Sequence, residues 1–243
     1  MNIYDSPYKH LANQSHEWLP MDTKDLYQQN LRKHSELLKK FNWIDTKISY
    51  KFNSDGFRSE EFSERPSIVF LGCSLTIGIG IPYECTWANI VAKTLDLANF
   101  NLGIGGGSND TAFRLGHYWI QKLRPRMVVW LITFQDRIEL LDHDEAHQIH
   151  ASDPESWPGR DFMKRYISQR YNGILNKQKN VLALKYLCQS LNVPLISIDN
   201  APLGYPIGTN EFQDLARDLA HPGITCNIDT ANQVLRLVDQ VGV

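Results

Sequence analysis

Short apolar segments recur along this chain, and helical periodicity fills the intervals between them. Residues 68–71 are a continuous apolar run (Ile68, Val69, Phe70, Leu71) closed by Gly72, the pattern of a strand buried on both faces. Residues 98–102, 127–133 and 193–199 read as three more core strands. Trp87, Ile90, Val91, Leu95 and Leu97 give 86–97 helical periodicity. A second helix is predicted over 110–123, where Arg124 and Pro125 stop it. A long helical pattern covers 161–191, with a break expected near Gly173, and a last helix spans about 229–238. Strands alternating with helices predict a doubly wound parallel sheet with helices on both faces.

Upstream, the pattern is different. Asp22 or Thr23 is positioned to cap a helix running through Leu26, Leu31, Leu37, Leu38 and Phe41. Residues 48–58 alternate like a strand and end in a turn at Asp55 and Gly56. Residues 1–60 are expected to be an extension packed on a domain formed by 61–243. Between the third and fourth strands, 138–157 read as a polar, histidine-rich connection. After the fourth, a loop with Pro202, Gly204, Pro206 and Gly208 is expected to lead into a short helix.

Composition narrows the class. At 243 residues, 42% hydrophobic and 21% charged, the chain is of the soluble globular kind. Its 25 basic and 27 acidic residues leave a net charge of −2, which excludes a bulk field for nucleic acid. No apolar run approaches the ~20 residues of a membrane span. The polar, aromatic N-terminus lacks the apolar core of a signal peptide, so a cytoplasmic location is expected. Cys73, Cys85, Cys188 and Cys226 show neither metal-type spacing nor a disulfide framework.

Candidate chemistry gathers at the strand ends. Ser74 follows the first strand at its carboxyl end, where reactive groups of open α/β sheets converge, and is either a helix cap or a nucleophile. The glycine run from Gly103 to Gly107 invites a dinucleotide reading, but Ser108 stands where G-x-G-x-x-G needs glycine, and there is no Walker pattern. Free N–H groups in such a loop can instead bind developing negative charge. His143, His147 and His150 cluster with Asp142, Asp144 and Glu145, and His143 and His147, four apart, would share a helix face as metal ligands; yet the segment's helical periodicity is weak, a solvated loop is preferred and no metal is expected. Asp218 precedes His221 by three residues in a turn, as Asp144 precedes His147. A carboxylate so placed can bond the histidine Nδ1 and leave Nε2 to take a proton from a serine.

These segments together resemble the SGNH (GDSL-type) hydrolases. The stretch from Gly72 to Thr76 looks like the first block, Asn101 to Gly106 like the second, and Asp218 to Pro222 like the fifth; the turn from Asn53 to Arg58 resembles a segment that often precedes the first. Cys73 stands where the family has aspartate, and Gln135 where its third block has asparagine. The resemblance implies a three-layer α/β/α sandwich on a flavodoxin-like parallel sheet of about five strands. It implies a serine esterase with Ser74 as nucleophile, His221 as base and Asp218 as its orienting acid. The oxyanion would be held by the N–H groups of Ser74 and Gly106 with the Gln135 side chain. No cofactor is implied. The substrate expected is a small-molecule or glycan ester with a short acyl group such as acetyl, and Arg58 and Arg137 are candidate substrate contacts or partners of nearby carboxylates. A non-catalytic ligand-binding module and an acyltransferase are the alternatives.

Overall fold

A computed structural model describes residues 2–142, 145–151, 160–199 and 212–241. In chain order, β1 (Ser15–His16) precedes α1 (Lys24–Lys33) and α2 (Ser35–Lys40), and β2 (Tyr50–Lys51) pairs antiparallel with β1. Then come β3 (Ser67–Leu71), the four-residue α3 (Ser74–Ile77), α4 (Trp87–Thr94), β4 (Ala98–Asn101), α5 (Asn109–Leu123) and β5 (Met127–Ile132). A hairpin of β6 (Arg137–Leu141) and β7 (Ala146–His150) follows, then α6 (Arg160–Ser168), α7 (Arg170–Ser190), β8 (Leu195–Asp199) and α8 (Ile224–Val241).

The central sheet is parallel throughout, in the order β4-β3-β5-β8. Its four described strands are those marked by the apolar segments, one fewer than the five or so expected. Because side chains alternate across a strand, each strand feeds two cores. Val69, Leu71, Val128 and Trp130 pack with Leu115 and Trp119 of α5 and Leu184 and Cys188 of α7. Ile68, Phe70, Val129 and Leu131 pack with Trp87 and Val91 of α4 and Val234 and Val238 of α8. Helices on both faces make this a three-layer α/β/α sandwich. Each large apolar side chain so buried stabilises the fold by about 1.5–3 kcal/mol. Among the described residues no helix is long and apolar enough to cross a membrane.

Several local expectations are corrected. Thr23, not Asp22, caps α1, its hydroxyl accepting from Leu26 N at 3.1 Å. The single upstream helix is two, divided at His34. The long helix breaks at Gln169, not Gly173, which is buried inside α7. Ser108 caps α5 through a reciprocal box with Thr111. The last helix begins at Ile224, before the expected start. Residues 212–223 contain no helix, and the proline- and glycine-bearing loop over 201–210 lies outside the described residues.

The polar connection is the largest correction. Among its described residues it is an antiparallel hairpin, with Arg137 opposite His150 and Leu141 opposite Ala146. It is held from two sides: Ile149 is fully buried, and Glu139 takes a two-pronged ion pair from Arg114 of α5 at 2.7 and 2.8 Å and a bond from Gln148 at 2.7 Å. The polar network around Glu139 fixes the hairpin together with the buried Ile149.

Candidate active site

Gly72 ends β3, and Ser74 opens α3 directly afterwards. Cys73 holds the N-cap position and no side chain caps the helix, so Ser74 is not a cap. The serine is 4% exposed, and its hydroxyl bonds to no described group. The α3 turn is tied from beneath by Asn101, which donates to Thr76 O at 2.7 Å and accepts from Gly103 N at 2.9 Å.

That second contact leads into the glycine loop. Ile104 N donates to Gly72 O and Gly107 N to Ile104 O, while Gly105 N donates to the Tyr8 phenol at 3.1 Å. Gly106 has φ +71°, a left-handed conformation open to glycine at no steric cost. Its carbonyl accepts from His150 Nε2 at 2.9 Å, whereas its N–H, like that of Ser74, donates to no described group. His150 therefore tethers the hairpin to the loop. In sequence His150 is one of a histidine cluster in the polar connection, and its role there is hidden because its partner is a main-chain oxygen.

The third component arrives from the far end of the chain. Asp218 is 4% exposed and His221 8%. His221 Nδ1 lies 2.5 Å from Asp218 Oδ2, while Asp218 Oδ1 accepts from the N–H groups of Ala220 and His221 at 3.1 and 3.0 Å. A carboxylate so held fixes the ring tautomer and leaves Nε2 unengaged by any described group. The loop carrying this pair lies against the turn that leaves α3. Arg217 N donates to Gly80 O at 2.9 Å, and a Cβ on Gly80, whose φ is +74°, would meet Ala216 Cβ at 2.8 Å. Among the described residues no hydrogen bond joins Ser74 Oγ to His221.

Among the described residues, none of the other expected residues is hydrogen-bonded to Ser74 or His221. Gln135 is exposed and lines a groove of about 590 Å³ beside α7, with Ile132, Lys177, Leu182 and Asp199. Neither Ser74 nor Gly106 lines that groove. Arg58 is buried and donates to the carbonyls of Ile77, Gly78, Ile81 and Ser49, so it meets no carboxylate and faces main chain. Burial pulls its pKa down to about 10. Arg137 stacks over Phe134 and donates to Thr133 Oγ1 at 3.4 Å. His147 bonds Asp142 at 2.7 Å from a strand, so the helical metal-ligand geometry does not form; His143 and Asp144 lie outside the described residues. No group of three metal-ligating side chains occurs among the described residues.

The first 60 residues supply support that local patterns do not reveal. Asn30 Nδ2 donates to Asp218 O at 3.1 Å, and Trp43 Nε1 to Leu215 O at 2.7 Å. Burial pushes the Tyr8 phenol up to about 12. Its unfolded pKa is near 10. The folded state thus holds this proton more tightly, and the stability it contributes is complete below pH 10 and lost as pH rises through 12. Tyr50 is pushed in the same direction by burial and by the charge of Asp22. The melting midpoint should fall from pH 10 to 12, with tyrosinate absorbance from these two side chains developing only as the protein unfolds. Full tyrosinate formation in the folded state at pH 11 would contradict this.

No protein-family model matches the chain, and no curated protein matches it. Among solved structures it is similar to the psychrotrophic esterase EstA from Pseudoalteromonas sp., at 12% identity over 72% of this chain and 97% of that one, with a TM-score of 0.38. It is similar to the lipase/acylhydrolase from Enterococcus faecalis, at 14% identity over 71% and 95%, with a TM-score of 0.38. The acetyl xylan esterase Est2A from the rumen bacterium Butyrivibrio proteoclasticus is matched at 12% identity over 73% of this chain and 64% of that one, with a TM-score of 0.37. Similarity this distant transfers neither substrate nor mechanism.

Proposed function

We propose that this chain is a serine-dependent ester hydrolase working through an acyl-enzyme. The observation that carries the reading is the buried Asp218–His221 bond at 2.5 Å, on a loop packed against the turn that follows Ser74. Ser74 Oγ attacks the ester carbonyl carbon as its proton passes to His221 Nε2. The N–H groups of Ser74 and Gly106 receive the oxyanion. Gln135, expected as a third donor, also lines the α7 groove, and its side chain remains the proposed third donor. Collapse of the tetrahedral intermediate breaks the bond to the alcohol, which leaves with the proton from His221. Water then repeats the sequence, releasing the carboxylic acid and restoring Ser74.

The groups around Gly106 favour a short acyl chain, since its nearest side chains, Gln148 and His150, are polar and offer little apolar surface to a long hydrocarbon. Acetyl is the acyl group proposed, on a carbohydrate or similar alcohol. An aryl phosphonate tests the reading. It should stop p-nitrophenyl acetate hydrolysis at one equivalent, with the added mass on the peptide containing Ser74. Label on another residue, or turnover that survives full labelling of Ser74, would sink the proposal. Supplying an alcohol acceptor separates hydrolysis, which yields free acid, from acyl transfer.

A further inference from the structure

Asp22, Tyr50, Gly80 and Arg217 form a closed hydrogen-bonded ring. Asp22, 1% exposed, accepts from Arg217 Nε at 3.2 Å and Nη2 at 2.7 Å. The same carboxylate accepts from Tyr50 OH at 2.5 Å, and Tyr50 OH accepts from Gly80 N at 2.8 Å. Gly80 O closes the ring by accepting from Arg217 N at 2.9 Å. Gly80 ends the turn that begins at Ser74, and Arg217 is the neighbour of Asp218. One carboxylate therefore reaches both halves of the site. Trp18 backs the Arg217 guanidinium at 3.9 Å, and Glu17 O accepts from it at 2.7 Å, leaving the arginine little freedom to move.

Stability alone is a poor reason for this arrangement. Both ions are almost fully removed from water, and a buried pair often stabilises a fold no better than apolar side chains of similar volume. What a bridging carboxylate provides is a fixed separation between two segments. We infer that Asp22 is a positioning residue that, through Tyr50 and Arg217, sets the distance between Ser74 and His221. This rests on the ester hydrolase reading above.

The test uses the full chain with p-nitrophenyl acetate. Tyr50→Phe removes only the hydroxyl between Asp22 and Gly80, so it probes the ring even where Asp22→Asn fails to fold. In folded Tyr50→Phe, kcat should fall about tenfold with KM within twofold, since misplacement of about 1 Å can cost ~10² in rate. The acid limb of the kcat/KM pH profile should stay where it is, because the Asp218–His221 bond is untouched. Arg217→Lys added to Tyr50→Phe should cost less than the product of the single losses, as both open one ring. Unchanged kcat in folded Tyr50→Phe and Arg217→Lys, with Ser74→Ala inactive, overturns this inference alone. Wild-type turnover in Ser74→Ala removes the hydrolase reading, and this one with it.

Discussion

Replacing His221 with alanine should lower kcat for p-nitrophenyl acetate by about 10⁶-fold, and Asp218→Asn by about 10⁴-fold. The two numbers differ for a structural reason. Without the imidazole nothing takes the Ser74 proton, and only binding and the oxyanion donors remain to accelerate the reaction. With asparagine at 218, the ring is retained but its tautomer is not dictated. Asp218 Oδ2 can only accept, so Nδ1 must carry the proton and Nε2 is free to receive one. An amide NH₂ in that place would donate to Nδ1, put the proton on Nε2 and disable the base. The fold should survive, because the remaining amide oxygen can still accept from the N–H groups of Ala220 and His221. Melting midpoints within a few degrees of wild type, measured beside kcat, would separate lost chemistry from lost structure. An Asp218→Asn enzyme within tenfold of wild type would remove Asp218 from the mechanism.

Arg58→Ala should destabilise the protein by about 3–6 kcal/mol, a large part of a typical folding free energy. The Arg58 guanidinium is the donor to Ile77 O at 3.0 Å and Ile81 O at 2.9 Å and also serves Gly78 and Ser49. Removing it orphans buried carbonyls in the segment that carries Ser74, each at about 1–3 kcal/mol. It also removes the cation from over the Tyr50 ring, 4.4 Å from its centroid. Arg58→Lys should recover only part of the loss, since an ammonium is a point donor and cannot span the carbonyls a planar fork reaches. Urea unfolding should show the loss, while KM for p-nitrophenyl acetate stays within twofold in Arg58→Lys. A raised KM with unchanged stability would return Arg58 to the substrate.

The parallel sheet was legible because β3, β4 and β5 are buried on both faces, which leaves short apolar runs such as Ile68 to Leu71. Helices α4 and α5 were legible from their periodicity and from the stop at Arg124 and Pro125. The hairpin was not, since Ile149 is the one fully buried position of its second strand and Glu139 and Gln148 hold polar contacts beside it. So few fully buried apolar positions make a strand pair look like a solvated loop. At the site, Asp218 and His221 could be paired because they share a turn. Asp22 could be read only as a cap, since its partner Arg217 is remote and both look like ordinary surface charges in sequence. Arg58 was misread for a related reason: its partners are carbonyl oxygens, which any residue can supply and no sequence pattern displays.

The bonds that seat the Asp218 loop join residues 188, 195 and 200 positions apart, from Asn30 to Asp218, Asp22 to Arg217 and Glu17 to Arg217. Contacts so distant form late in folding, because the loop they close must be ordered before they repay it. On a ribosome adding about 5–20 residues per second, Asp22 waits about 10–40 s for Arg217 to be made. Through that interval the first 60 residues have no C-terminal loop to hold, and the sheet can assemble without a complete site. Acquisition of activity should therefore lag behind acquisition of secondary structure when the denatured chain is diluted into buffer.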